Sequence, residues 1–277
     1  MKGECALDAD HGATDHLRGE VRRTWDTNAG YWDAHMGDGN DWHLELVRPA
    51  VVSLLQCVPG EHVLDLGCGN GLFARHLAQS ATRVTACDIS PEMVRLAAAR
   101  GNAGGRITYR MADATDSAQL AAIEGAPFDA VVANMVLMDI PTVAPLADAL
   151  PRMLAGPHGR FVFAVSHPCF HTTGTRMAME CDESAGLPQM VHSVHVHAYR
   201  SLGPARGVGI RGQPELQYYF DRTLQALLSP FFAAGFGLDG IREPTFAPPP
   251  ADARPQLFTV YSEIPPVLVC RLRRIGV

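Results

Sequence analysis

Residues 61–71 read Glu-His-Val-Leu-Asp-Leu-Gly-Cys-Gly-Asn-Gly, and the reading of this stretch decides the fold. His62 to Cys68 is a short apolar run, the pattern of a strand buried on both faces. The next segment, GLFARHLAQS from Gly71 to Ser80, has helical spacing. Between them stand Gly67, Gly69 and Gly71, which permit a tight turn and let the backbone approach a ligand closely. The helix that follows offers free N–H groups and the positive end of its dipole.

Working outward, the alternation repeats. RVTACDIS (83–90) is a second strand, and Ser90-Pro91 caps and opens the next helix. ITYRMADA (107–114), FDAVVANMVL (128–137) and GRFVFAVS (159–166) continue as strands three to five. Short apolar strands alternating with helices predict an α/β fold with a doubly wound, mostly parallel sheet. Upstream, LELVRPAVVSLLQ (44–56) has helical spacing and ends at Pro59-Gly60. The expected organisation is a flexible tail at 1–20 and a helical, aromatic-rich lid at 21–56 holding Trp25, Tyr31, Trp32 and Trp42. The main domain then fills 57–277. Residues 167–215 are too long for a plain connection and are read as an inserted cap.

Composition narrows the function. A formal net charge of −6 over 277 residues argues against nucleic acid as partner, because phosphate binding needs a concentrated basic surface. The seven cysteines form no CxxC pair, so neither a disulfide framework nor a zinc ribbon is indicated. No apolar run of membrane-spanning length occurs, and the N-terminus lacks the apolar core of a signal peptide. The expectation is a cytoplasmic protein with a small-molecule partner. The oligomeric state is left open, with a homodimer among the options.

Two details of the glycine turn point to a ligand. Its spacing is GxGxG, whereas nicotinamide and flavin enzymes use GxGxxG. Asp65 stands two residues before the first glycine, where a carboxylate suits a cationic amino acid and repels a pyrophosphate. Asp88 closes the second strand, the position from which a carboxylate holds ribose hydroxyls. Ammonium, sulfonium and ribose without phosphate describe S-adenosylmethionine. Taken singly, the two acids could also be a helix cap and an Asx turn.

The motifs in sequence resemble those of the class I, Rossmann-like S-adenosylmethionine-dependent methyltransferases of the small-molecule type. VLDLGCGNG resembles the first motif, VTACDISPEMV the second, Ala112-Asp113-Ala114 the third, FDAVVANMVLMDI the fourth, and LAGPHGRFVFAVSHP the segment after it. Gly235-Phe236 to Arg242-Glu243-Pro244 resembles the C-terminal helix-to-strand passage. PVLVCRLRR then implies a closing antiparallel strand in a seven-stranded sheet. The resemblance implies that Asp65 receives the cofactor ammonium and that Gly67, Cys68 and Gly69 pass beneath it. It also implies that Asp88 takes the ribose, with Ile89 and Met93 against the adenine. Asp113 and Ala114 then meet the adenine edge, and Asn134 and Met135 lie beside the methionine moiety. Tyr31 and Trp42 are candidate lid residues over the cofactor, or ordinary helix packing.

Methyl transfer needs a general base only if the acceptor must lose a proton. The candidates are His167 after strand five and His195 and His197, which share one face of the strand predicted in VHSVHVHAY. His171 and Tyr199 are candidate acceptor-binding residues. The same histidines also read, and more simply, as a polar strand face or as satisfied pocket histidines. HxH could supply two metal ligands, but no third spaced ligand completes a site, so no metal is expected. The predicted acceptor is a specialised metabolite with an aromatic or alkaloid-like scaffold, methylated on C, N or O. The competing readings are a fold member that binds the cofactor without transfer and a nicotinamide-dependent oxidoreductase.

Overall fold

The computed structural model describes residues 4–80, 82–182, 186, 189–248 and 261–275. Helix α1 (Glu4–Met36) leads through a wide π-helical turn (Trp42–Val47) into α2 (Arg48–Leu55). The alternating unit follows as β1 (His62–Leu66), α3 (Leu72–Gln79), β2 (Arg83–Asp88), α4 (Pro91–Ala99), β3 (Ile107–Met111) and α5 (Ser117–Ala121). It continues through β4 (Ala130–Asn134), α6 (Ala144–Met153) and β5 (Arg160–Ser166). Four short strands come next: β6 (Thr175–Asp182), β7 (Gln189–Val196), β8 (Ala205–Gly207) and β9 (Gln217–Tyr219). The chain closes with α7 (Leu224–Ala233), β10 (Phe236–Arg242) and β11 (Val267–Arg274).

Seven strands form one sheet in the order β10-β11-β5-β4-β1-β2-β3. Strands β1 to β5 run parallel, and β11 inserts antiparallel between β5 and β10. The chain winds outward from β1 to β3, then returns to start β4 on the other side of β1. That reversal leaves a crevice at the carboxyl ends of β1 and β4, where open α/β sheets bind ligands.

Both sheet faces are covered, and the pleat sorts the core by parity. Leu64, Leu66, Val131, Ala133, Phe161, Phe163, Leu268 and Leu272 face α5, α6 and α7. Val63, Val84, Ala86, Val132, Val162, Val267 and Val269 face α2 and α3. Side chains alternate along each strand, so runs such as FVFAV serve two cores at once. The buried Arg160 at the foot of β5 joins these layers to α2. Its guanidinium bonds the Leu55 carbonyl and grips Glu61 at 2.6 and 2.9 Å.

Two expected boundaries are corrected. The predicted tail at 1–20 and the start of the lid are a single helix from Glu4 on, because nothing between Glu4 and Met36 carries a proline to break it. The insertion runs past 215 to Thr223, whose hydroxyl caps α7 by accepting from the Ala226 amide. It folds as two hairpins, β6–β7 and β8–β9. The Phe220 amide ties the second hairpin to the Met138 carbonyl after β4. Among the described residues no helix is long and apolar enough to cross a membrane.

Candidate functional site

The turn after β1 is shaped by backbone that only glycine adopts easily. Gly67 has φ +70°, and a Cβ there would lie 2.3 Å from a Val136 methyl. Beneath the turn Asp65 is almost wholly buried, and its Oδ2 has no partner. Burial, reinforced by Asp88, pushes its carboxyl up to about 7. Asp88 accepts from the Gly69 amide at 2.8 Å and the Ser90 amide at 2.9 Å. The Asx turn is therefore real, and the same carboxyl also lines the crevice, with burial pushing it up to about 6. Burial and the neighbouring acids push the Cys68 thiol far up, so it packs as an apolar group.

These residues line a cavity of about 590 Å³, within the usual range for small-molecule sites. Gly67, Cys68, Gly69, Ile89, Met93, Ala114, Asn134 and Met135 all reach it. Both amide atoms of Asn134 are buried without a partner. Met135 holds φ +55°, unusual for a side chain of its size, while its amide bonds Ala164. Asp113 is already engaged: it accepts from Thr115, and from Arg18 Nε at 2.9 Å. Arg18 also reaches Asp116, so α1 is latched across the ends of β3 and α5. Further along, α1 bonds the core through Asp26 to Ser90 and Asp33 to Asn70, and the insertion through Asn28 to Glu215.

Of the lid aromatics, Trp42 lines the cavity, packed edge-on against Tyr261. Tyr31 does not line it. Its hydroxyl donates to the Arg211 carbonyl and its ring stacks on His35, which ties α1 to the insertion.

The histidine assignments are mostly overturned. His195 and His197 are exposed on the β6–β7 hairpin, away from the cavity, with His195 opposite Arg176. Strand alternation shows which residues share a face, but not where the hairpin stands relative to the sheet. His167 is buried outside the cavity. Its Nδ1 accepts from the Cys169 amide and its Nε2 donates to Glu243, which pins the end of β5. The Tyr199 hydroxyl accepts from the Leu224 amide at the start of α7, a structural role. Of the histidines expected at the site, His171 reaches the cavity, hydrogen-bonded to the Tyr261 hydroxyl at 2.7 Å, with burial lowering its pKa.

The structure adds His43, Asp139, Gln217 and Tyr219 to the cavity lining, and Trp25 and Trp32 of the expected lid reach it as well. Asp139 did leave a signal. It is the lone charge in VANMVLMDIP, just past the carboxyl end of β4.

Residues 64–163 match the family model described as a methyltransferase domain. The chain is 26% identical to a solved S-adenosylmethionine-dependent methyltransferase from Mesorhizobium loti, with a TM-score of 0.61 over 82% of this chain and 96% of that one. Residues 64–163 are a methyltransferase domain, and the chain has the Rossmann-like fold of the class I S-adenosylmethionine-dependent methyltransferases. A solved methyltransferase from Listeria monocytogenes, 22% identical with a TM-score of 0.58, shares the fold over 82% of this chain and 97% of its own. The curated ubiquinone biosynthesis O-methyltransferase of Xylella fastidiosa is 33% identical over 153 residues, 54% of this chain. That match spans 60% of the relative's length.

The residues that line the cavity fit S-adenosylmethionine, the cofactor named for the Mesorhizobium loti protein. The unpartnered Asp65 oxygen and Asn134 amide are groups that a bound amino-acid moiety would satisfy, and the bare Gly67 lets Val136 pack against the turn. The acids also predict a pH dependence. Unfolded carboxyls titrate near 4, whereas Asp65 and Asp88 keep their protons in the unliganded fold to about 7 and about 6. Between those values the fold holds more protons than the unfolded chain, so its stability falls as pH rises. A cationic ligand selects the ionised acids instead. S-adenosylmethionine affinity is therefore expected to tighten about tenfold from pH 5.5 to 7.5, read by calorimetry. A flat profile would remove Asp65 from the ammonium site.

Proposed function

We propose that this chain transfers a methyl group from S-adenosylmethionine to a ring oxygen of a small organic acceptor, an aromatic specialised metabolite. The supporting observation is the lining of the cavity. Beside the glycine turn it includes Trp25 and Trp32 of α1, Trp42, and Gln217 and Tyr219 of β9. An aromatic lining with a few convergent polar groups suits a small organic molecule. The O-methyltransferase relatives favour oxygen as the nucleophile.

When bound, the cofactor supplies an electrophilic methyl group on a sulfonium. The chain's own work is placement and shielding. In this reading Asp65 and Asn134 hold the amino-acid moiety, Asp88 the ribose, and Asp113, sharing its carboxylate with Arg18, the adenine. Positioning two reactants in line can contribute roughly 7–11 kcal/mol, which the tryptophan lining serves by fixing the acceptor and excluding water. A screen of phenols, catechols and aromatic amines with radiolabelled methyl donor tests the reading. Binding of the cofactor with no labelled product from any of them would favour a non-catalytic fold member.

A further inference from the structure

The first hairpin of the insertion stands apart from the rest of the protein. Among the described elements, β6 and β7 pack substantially only on each other, and neither joins the main sheet. A lone two-stranded hairpin is marginally stable in water and needs further strands or a covering layer to hold. This one is also apolar where it meets solvent. Met179, Met190, Val191 and Val196 are each 40–50% exposed. Met177, Met179, Met190 and Val194 share one face by strand alternation.

The ladder shows which edge groups are unused. The His197 amide donates to the Gly174 carbonyl at 3.0 Å, one pair beyond Thr175 and Val196. Opposed residues in an antiparallel ladder alternate between bonded and non-bonded pairs. The amides of Arg176, Ala178 and Glu180 therefore point inward to β7, and those of Met177, Met179 and Cys181 point outward. Among the described residues no strand pairs with that outer edge. A bare row of donors and acceptors of this kind is a template for another strand.

The side chains along the same edge are self-complementary. A second copy of β6 can lie antiparallel to the first about a two-fold axis through Ala178. Met177 of each copy then falls opposite Met179 of the other, outward groups against outward groups, so the new ladder closes. Arg176 falls opposite Glu180 of the second copy, and the symmetry repeats this pair. Both side chains are exposed, and Arg176 is in no ion pair among the described residues. Glu180 has His195 Nε2 at 4.0 Å. In the new ladder these are non-bonded positions, where side chains approach most closely and opposite charges attract. The outer edge of β7 offers nothing comparable, because Gln189–Val196 holds no acid and no arginine.

We propose that two copies of this chain pair through β6, joining their hairpins into one four-stranded antiparallel sheet in the order β7-β6-β6-β7. The contact uses the same patch on both copies, so it closes at two and does not propagate. Strand addition of this kind draws affinity from main-chain hydrogen bonds and register from side chains, here the paired Arg176 and Glu180. Met177, Met179 and Val194 of both hairpins then lie on one face of the joined sheet. The exposed Glu180 on this edge opposes an anionic lipid surface, which disfavours a membrane as the occupant.

Sedimentation of the full chain at rising micromolar concentration tests the pairing, and the wild type should run as a dimer. Arg176→Glu sets glutamate against Glu180 twice and should weaken association about tenfold or more. Arg176→Glu combined with Glu180→Arg should restore it. Met177→Pro removes an outward amide that the hairpin itself does not use, and should leave a folded monomer. Ala178→Cys in a Cys181→Ser background should give a disulfide-linked dimer on mild oxidation, because non-bonded pairs hold their Cα atoms about 4.5 Å apart. A wild type that stays monomeric at every concentration would overturn the proposal. So would a dimer that survives both Arg176→Glu and Met177→Pro, which would place the contact elsewhere on the surface. Should Met177→Pro not fold, the charge reversal and its rescue still decide. A monomer that floats with phosphatidylglycerol vesicles would give the hairpin to a lipid surface and overturn the pairing.

Discussion

Asp88→Ala is expected to lower S-adenosylhomocysteine affinity at least a hundredfold and to cost the unliganded protein about 2–4 kcal/mol. The carboxylate does two jobs at once. It accepts from the Gly69 and Ser90 amides, joining the glycine turn after β1 to the start of α4. Alanine would leave both donors unpaired in a buried place, at about 1–3 kcal/mol each before any relaxation. One gain offsets part of that cost, since burial already disfavours the charged form of this acid. The ligand loses a direct partner and also the turn that shapes its seat, so affinity should fall further than stability. Asp88→Asn separates the two roles, because the amide oxygen can still accept one of the two N–H groups. Calorimetry with S-adenosylhomocysteine and a denaturation curve for each variant check this. Equal affinity in wild type and Asp88→Ala would show that Asp88 serves the turn alone.

The sheet and the cofactor half of the site were legible in sequence for a local reason. Each β-strand, glycine turn and helix start there lies within a few residues of the next, and the acids fall at strand ends, where topology fixes their direction. Asp65 and Asp88 could therefore be read from spacing, whereas Asn134 came only from the family resemblance. The acceptor half depends on contacts between distant segments. His195 and His197 looked functional because they share a strand face, yet the hairpin carrying them stands away from the crevice. Asp139 becomes a pocket residue only once Arg222, some eighty positions later, grips its loop. Trp32 lines the same cavity only because Glu215 and Arg211 hold α1 against the insertion. No periodicity in the chain encodes such pairings. The helix over 4–20 was missed for another reason: its polar composition reads as tail, while its anchor, Arg18 on Asp113, lies 95 residues away.

Phe231→Ala is expected to cost about 3–5 kcal/mol, the range for removing a fully buried phenylalanine. Phe231 is wholly buried on α7, its ring 5.3 Å from that of Phe161 and 6.1 Å from that of Phe163 on β5. Truncation forfeits the transfer energy, leaves a void between helix and sheet, and breaks two aromatic pairs worth about 0.5–1.5 kcal/mol each. The next residue supplies the control. Phe232 on the same helix is 46% exposed, so Phe232→Ala should shift stability by about 0.5 kcal/mol or less. The consequence reaches the site, because α7 begins immediately after the clamp formed by Phe220 and Arg222, and the Tyr199 hydroxyl fixes its first turn. Loosening α7 should therefore weaken the hold on the loop of Asp139 before it disturbs Asp65 or Asp88 on the far side of β4. Phe231→Ala assayed well below its melting temperature should lose turnover while S-adenosylhomocysteine affinity holds. If the two fall together, the acceptor side of the cavity and the cofactor turn form one cooperative unit, and the clamp has no separate role.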